Sequence, residues 1–125
     1  MASIEEIQSV VAQYVDLVAA HQPEKVADLF ADNATIEDPV GTDRKTGRQD
    51  IIDFYGVIAS MEETTTELLW SKVAADTAVF AFELRVATAG YGYEVRPIDI
   101  MVFDDAAKIV SMRAVWDPAT DITTF

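Results

Sequence analysis

The chain has 125 residues, of which half are hydrophobic and a quarter are charged, a composition that suits one domain, residues 1–125, with a core of its own. It has no cysteine and a single histidine, His21, so disulfides, thiolate chemistry and multi-histidine metal sites are excluded. The net charge of −13 opposes binding to nucleic acid and to anionic membrane surfaces. The first residues lack the basic and apolar regions of a signal peptide. We therefore expect a cytoplasmic protein that acts on something neutral, without nucleic-acid or membrane partners.

The first half of the chain has helical periodicity. Ser3 and Glu6 have the spacing of a capping box, which predicts a first helix that ends near residues 20–22. Its apolar residues recur every three or four positions and predict one buried face: Ile4, Ile7, Val11, Tyr14 and Val18. Pro23 suits the start of a short second helix that carries Val26, Leu29 and Phe30 inward.

The next segment predicts a short strand, a loop and a third helix. Alternation over residues 34–38 predicts the strand, and Pro39 ends it. A loop over residues 40–46 leads to Gly47 and to the third helix, whose apolar positions are Ile51, Ile52, Phe54, Tyr55 and Ile58.

The second half alternates with period two and predicts four long strands, over residues 64–73, 78–88, 93–103 and 109–116. Strands in direct succession favour an antiparallel meander, because parallel pairing needs long crossover connections. The predicted fold is therefore α+β, with three N-terminal helices packed on a curved, mainly antiparallel sheet. Such a cone encloses an apolar interior, which is a candidate pocket.

Asp99 is the most informative residue for function. It lies in the segment Arg96–Phe103, where both faces of the strand are otherwise apolar. A buried carboxyl group must be paired, hydrogen-bonded or neutral, since a lone ionised carboxylate in an apolar site is very costly. An edge-strand charge that discourages aggregation is the alternative. The continuous apolar context favours a central strand.

Three other residues have simple structural explanations when each is taken alone. Tyr14 fits a core aromatic residue, Asp38 beside Pro39 fits a turn, and Tyr55 fits a half-buried helix position. Their combination with Asp99 is what argues for a catalytic site.

Blocks along nearly the whole chain resemble the bacterial Δ5-3-ketosteroid isomerases. The more specific blocks are Ala-Thr-Ile-Glu-Asp-Pro at residues 34–39 and Ile-Asp-Ile-Met at residues 98–101. The others are residues 12–17, 30–33, 47–48, 54–55, 102–104 and 112–116. The resemblance implies an NTF2-like (cystatin-like) cone fold, also described as SnoaL-like, and a homodimer that uses no cofactor or metal.

The resemblance also implies roles for individual residues. Asp38 matches the general base, which moves a proton from C4 to C6 of a 3-oxo-Δ5-steroid. Tyr14 and a protonated Asp99 match the two donors of the oxyanion hole, and Tyr55 matches the tyrosine that supports Tyr14. The residues that match the wall of the apolar steroid cavity are Phe54, Phe80, Phe82, Met112 and Trp116.

One position departs from the family pattern. Phe30 stands where the family commonly has a third tyrosine, so the hydrogen-bond network around Tyr14 should be shorter. We expect a homodimer through the outer face of the sheet, with Val73, Val79 and Ile109 as candidate contacts.

Two other functions stay open at this point. One is another cone-fold enzyme, an epoxide hydrolase or a dehydratase/cyclase, that uses Asp together with Arg or His. His21 lies in a predicted turn, which argues against the histidine version, whereas Arg85, Arg96 and Arg113 leave the arginine version open. The other is a non-catalytic ligand-binding module, because fold does not imply function.

Overall fold

The computed structural model describes all 125 residues and contains three helices and eight strands. The helices are α1 (Ile4–Ala19), α2 (Pro23–Ala27) and α3 (Arg48–Ala59). The strands are β1 (Phe30–Glu37), β2 (Lys45–Thr46), β3 (Glu63–Ala74), β4 (Thr77–Thr88), β5 (Tyr91–Val95), β6 (Ile98–Phe103), β7 (Ile109–Val115) and β8 (Thr123–Thr124). This is the α+β architecture that the sequence predicts. None of the helices is long and apolar enough to cross a membrane.

The capping box at the start of α1 is confirmed. The Ser3 hydroxyl accepts a hydrogen bond from the Glu6 amide, and the Glu6 carboxylate accepts one from the Ser3 amide, both at 3.1 Å. The predicted buried face is confirmed from Ile7 onward, with Val15 as an added member. The prediction that Ile4 belongs to the buried face is wrong, because residues 3–6 are all exposed and Ile4 is 49% exposed to solvent.

The second helix is shorter than predicted. It ends at Ala27, and Phe30 is buried as the first residue of β1 rather than as a helical residue. There Phe30 lies opposite Ile109 of β7. Strand β1 therefore begins four residues earlier than the prediction, and residues 45–46 of the predicted loop form β2, which pairs with it.

The predicted meander is confirmed, with one break. Strand β4 pairs with β3 on one side and with β5 and β6 on the other, and β6 pairs antiparallel with β7. Strands β5 and β6 replace a single predicted strand. Pro97, which has no amide hydrogen to continue the ladder, lies between them, and its carbonyl accepts from the Phe82 amide at 3.4 Å. Strand β1 then adds parallel to β7.

The helices cover one face of the sheet, and the core lies between them. The inward face of β4 is the predicted stripe of Phe80, Phe82, Leu84 and Val86, all of them buried. Val73 and Ile109 also belong to this core, with 8% and 0% exposure. Their assignment to the outer face is therefore wrong, because both side chains are buried in the core cluster.

Candidate active site

An apolar cavity of about 210 Å³ lies between the helices and the inner face of the sheet. Thirteen residues line it, and Asp38 is the only one that carries an ionisable carboxyl group. The others are apolar or aromatic: Tyr14, Val18, Phe54, Tyr55, Val57, Ile58, Phe82, Leu84, Tyr93, Val95, Pro97 and Trp116. A single carboxylate in an apolar cavity is the arrangement expected of a proton-transfer site for a neutral substrate.

Helices α1 and α3 bring two tyrosines together at this cavity. The Tyr14 and Tyr55 hydroxyl oxygens are 2.7 Å apart, and both residues are buried. The Tyr14 ring meets Phe80 and Phe82 of β4 edge-on, with centroids 6.0 and 6.1 Å away, so its direction is held by packing. Burial raises the pKa of both tyrosines well above the usual value, and the neighbouring tyrosine and the Asp99 and Asp38 charges add to this effect on Tyr14. Both hydroxyl groups therefore stay protonated and can donate.

Asp99 is the only carboxylic acid among the buried residues. It is 1% exposed and lies on β6 directly opposite Phe80 of β4, which touches the Tyr14 ring. Its Oδ1 has no hydrogen-bond partner. Burial raises the pKa of Asp99 well above its usual value, and the nearby Asp38 charge raises it further. The edge-strand alternative is wrong, because β6 is paired on both sides.

Asp38 directly follows β1 and is hydrogen-bonded to Trp116, which directly follows β7. The Trp116 indole nitrogen donates a hydrogen bond of 2.7 Å to Asp38 Oδ1. Burial raises the pKa of Asp38, whereas the Trp116 hydrogen bond and the positive charge of Lys45 lower it. The carboxylate thus has two partners that favour its charged form, which Asp99 lacks.

The structure places three of the five predicted cavity residues at the cavity. Phe54, Phe82 and Trp116 line it. Phe80 and Met112 do not, because both lie completely inside the core, where Phe80 supports the Tyr14 ring instead. Asp99 is likewise behind the lining and not part of it.

Seven lining residues were missed by the sequence analysis: Val18, Val57, Ile58, Leu84, Tyr93, Val95 and Pro97. Leu84 could have been found, since it shares the inward face of β4 with Phe82. Tyr93, Val95 and Pro97 could also have been found, since they continue the alternating face that carries Asp99 and Met101.

The remaining chemical groups lie elsewhere. Phe30 lies near Tyr55, with ring centroids 6.4 Å apart, and has no hydroxyl to extend the tyrosine pair. His21, in the turn after α1, is within 2.6 Å of the Thr64 hydroxyl and does not line the cavity. No group of three or more His, Cys, Asp or Glu side chains is placed to hold a metal ion.

Comparison with known proteins places this geometry in a family. Residues 11–112 match the model of the SnoaL-like domain. The chain belongs to the SnoaL-like family. A steroid Delta-isomerase from Nocardioides simplex is 42% identical over 119 residues, which cover 95% of this chain and 96% of that protein. This relationship identifies the protein as an isomerase.

Two solved structures support the cone fold of this SnoaL-like protein. The epoxide hydrolase/cyclase-like enzyme SalBIII, which has a role in pyran ring formation in the polyether salinomycin, is 25% identical with a TM-score of 0.90. RV0760c from Mycobacterium tuberculosis is 21% identical with a TM-score of 0.88. Both alignments cover the whole of both chains.

Proposed function

We propose that this isomerase acts on steroids and moves the double bond of a 3-oxo-Δ5-steroid into conjugation with the ketone. The observation that carries the proposal is the presence of one carboxyl group in an apolar cavity, Asp38, together with a second, Asp99, that is buried in the core with an unpartnered oxygen. The 42% identity to a steroid Delta-isomerase supports the same substrate class.

In the proposed reaction, one carboxylate takes a proton and gives it back. The Asp38 carboxylate removes the C4 proton, and the electron pair of that C–H bond moves into a dienolate whose negative charge is on the 3-oxygen. The protonated Asp38 then delivers the same proton to C6, which forms the conjugated enone and restores the carboxylate. Such a shuttle needs a base that lies close to the substrate and whose pKa is below the working pH.

The dienolate needs donors at its oxygen, and we assign this task to Tyr14 and to Asp99, whose cross-strand neighbour Phe80 meets the Tyr14 ring. Tyr14 donates from the cavity lining with its ring held against β4. Asp99 donates as a neutral acid, and its unpartnered Oδ1 shows that one side of the carboxyl group is not used by the protein itself. The two hydroxyl oxygens are 2.7 Å apart and either can donate; we assign Tyr55 as the donor, which leaves the Tyr14 proton free for the substrate. Preorganised donors of this kind act most strongly where water is excluded.

The surroundings of the two acids support different tasks for them. The Trp116 hydrogen bond and the Lys45 charge stabilise an ionised Asp38. Complete burial, and after it the Asp38 charge, raise the pKa of Asp99 well above its usual value. The pKa of Asp38 is also raised by burial, but this rise is opposed by Trp116 and Lys45, so at a pH between the two pKa values Asp38 is ionised and Asp99 is protonated.

The contacts of the arginines argue against an Asp–Arg hydrolase. Each of the three candidate arginines pairs with a glutamate rather than with Asp38: Arg85 with Glu94 at 3.6 Å, Arg96 with Glu83 at 2.8 Å and Arg113 with Glu37 at 3.0 Å. Asp38 therefore lacks the guanidinium partner that this alternative requires.

A homodimer through the outer face of the sheet is part of the proposal. Trp70, Ala81, Ile98 and Val115 lie opposite one another in one row across β3, β4, β6 and β7. Trp70, Ile98 and Val115 are each more than a third exposed. A contiguous apolar row on one face suits a self-complementary contact. Sedimentation of the wild type and of Ile98→Asp tests it: a wild-type monomer at micromolar concentration would contradict the dimer.

The function is tested by the isomerisation of 5-androstene-3,17-dione, followed by the absorbance of the new enone. Wild-type protein should convert it, and Asp38→Asn should lose nearly all turnover while it still binds the steroid, because the amide keeps the shape but cannot accept the proton. No conversion by folded wild-type protein would refute the steroid proposal. Substantial turnover by Asp38→Asn would refute Asp38 as the base.

A further inference from the structure

The last nine residues join two walls of the cavity. This segment, Asp117–Phe125, forms a strap. It follows Trp116, which lines the cavity, and it ends in β8, whose two residues pair with Tyr93 and Glu94 of β5. Tyr93 and Val95 of β5 line the same cavity. The strap therefore connects the Trp116 wall to the β5 wall.

The start of the strap is a tight hydrogen-bonded turn. The Asp117 amide donates to the Asp121 carboxylate at 2.7 Å, and the Asp121 amide donates to the Asp117 carbonyl at 2.8 Å. The Asp117 carboxylate also accepts from the Ala119 amide at 2.9 Å. The backbone is thus fixed immediately after Trp116, the residue that holds Asp38.

The end of the strap packs against Gly92 of β5, in the space that a side chain at this position would occupy. The Phe125 amide donates to the Gly92 carbonyl at 3.0 Å, and the Arg85 guanidinium lies 3.8 Å from the centre of the Phe125 ring. A Cβ at Gly92 would lie 2.5 Å from the Phe125 ring. Gly92 is an ordinary strand residue without a positive φ, so here the ring, and not the backbone, requires glycine.

We propose that the strap, anchored by Phe125 on Gly92, shapes the cavity mouth and sets which substituent is accepted at the end of the steroid remote from its 3-oxo group. This inference rests on the proposed steroid function. Of the lining residues, Tyr14 is fully buried and marks the inner end of the cavity, whereas the half-buried Tyr93 lies nearer to solvent. None of the reacting groups belongs to the strap, so Phe125 is a positioning residue and its effect falls on binding.

Two variants release the anchor by different routes. Phe125→Ala removes the ring, and Gly92→Ala keeps the ring but pushes it out. If both act through the same contact, the double variant should be no worse than either single one, which is the signature of coupled residues. Leu69→Ala is the matched control, because it removes a similarly exposed apolar side chain from β3.

Kinetics on two steroids give the main readout. The substrates are 5-androstene-3,17-dione and 5-pregnene-3,20-dione, which differ in bulk at C17. We expect each anchor variant to raise KM for the compact steroid, 5-androstene-3,17-dione, about fivefold and to keep kcat within about twofold of the wild-type value. The values of kcat/KM for the two steroids should lie closer to each other than they do in the wild type. A general loss of folded protein would lower the apparent kcat for both substrates and leave their ratio unchanged.

A binding measurement keeps the inference testable without turnover. In a Trp70→Phe background, Trp116 is the only tryptophan, and its fluorescence reports binding of the two conjugated product ketones. Failure of the wild type to isomerise either steroid would refute the proposed function. An unchanged substrate ratio, or unchanged relative affinities for the two ketones, in both anchor variants would overturn the role of the strap while the isomerase function stands.

Discussion

Replacement of Trp116 by phenylalanine tests how the general base is kept ionised. Phenylalanine keeps an aromatic ring at the cavity wall but removes the indole N–H, which donates a 2.7 Å hydrogen bond to Asp38. That bond and the Lys45 charge are the two influences that oppose the effect of burial on the Asp38 pKa. We expect the Asp38 pKa to rise in Trp116→Phe, because the charged form loses its partner.

The size of the effect follows from the energy of such a bond. A hydrogen bond to a charged group contributes about 1.5–3 kcal/mol, and one pKa unit corresponds to about 1.4 kcal/mol. The full loss is therefore about 1–2 units. Asp38 is only partly buried, so water replaces part of the bond, and we expect the lower end of that range.

The assay is the pH dependence of kcat/KM for isomerisation. Protonated Asp38 cannot take the C4 proton, so the acid limb of the Trp116→Phe profile should move to higher pH by about 1 unit. Well above both pKa values, the variant should keep most of its activity. Trp70→Phe is the control, since Trp70 is 48% exposed on β3 and does not line the cavity. An acid limb that stays in place, or moves to lower pH, would refute this account of Asp38.

Two further predictions concern the donors. Tyr14→Phe should lower kcat by roughly 10²–10³-fold, as loss of one oxyanion donor does. Tyr55→Phe should lower kcat much less, because Tyr55 acts only through Tyr14. The kcat values of the two variants on one substrate test this, and equal losses would mean that Tyr55 contacts the substrate. Asp99→Leu should lose activity but gain stability at neutral pH. Because the folded-state pKa of Asp99 is raised, the folded protein holds the Asp99 proton more tightly than the unfolded chain does. The contribution of this proton to the free energy of unfolding is complete below the unfolded pKa of about 3.9 and is lost as pH rises. Thermal unfolding at pH 8 and at pH 4 should show a gain for Asp99→Leu that is larger at pH 8, and an equal or smaller gain at pH 8 would contradict a neutral, buried Asp99.

Much of this protein could be predicted from local pattern. The capping box and the three- and four-residue spacing locate α1, because both depend on residues within one helix. The burial of Asp99 could also be predicted, since it shares a face of an otherwise apolar strand with Met101 and Phe103, which are buried as well. Successive strands without crossover segments predict the meander for the same local reason.

The cavity itself was decided by tertiary structure. Phe80 and Phe82 share a face of β4, are both buried and both meet the Tyr14 ring, yet only Phe82 lines the cavity. The hydrogen bond between Trp116 and Asp38 joins residues 78 positions apart and depends on the parallel pairing of β1 with β7. Periodicity reports whether a side chain is buried, which is a property of its own element. Which side chains meet is set by register, by the break at Pro97 and by the way the chain returns to β5, and these depend on packing between elements distant in sequence.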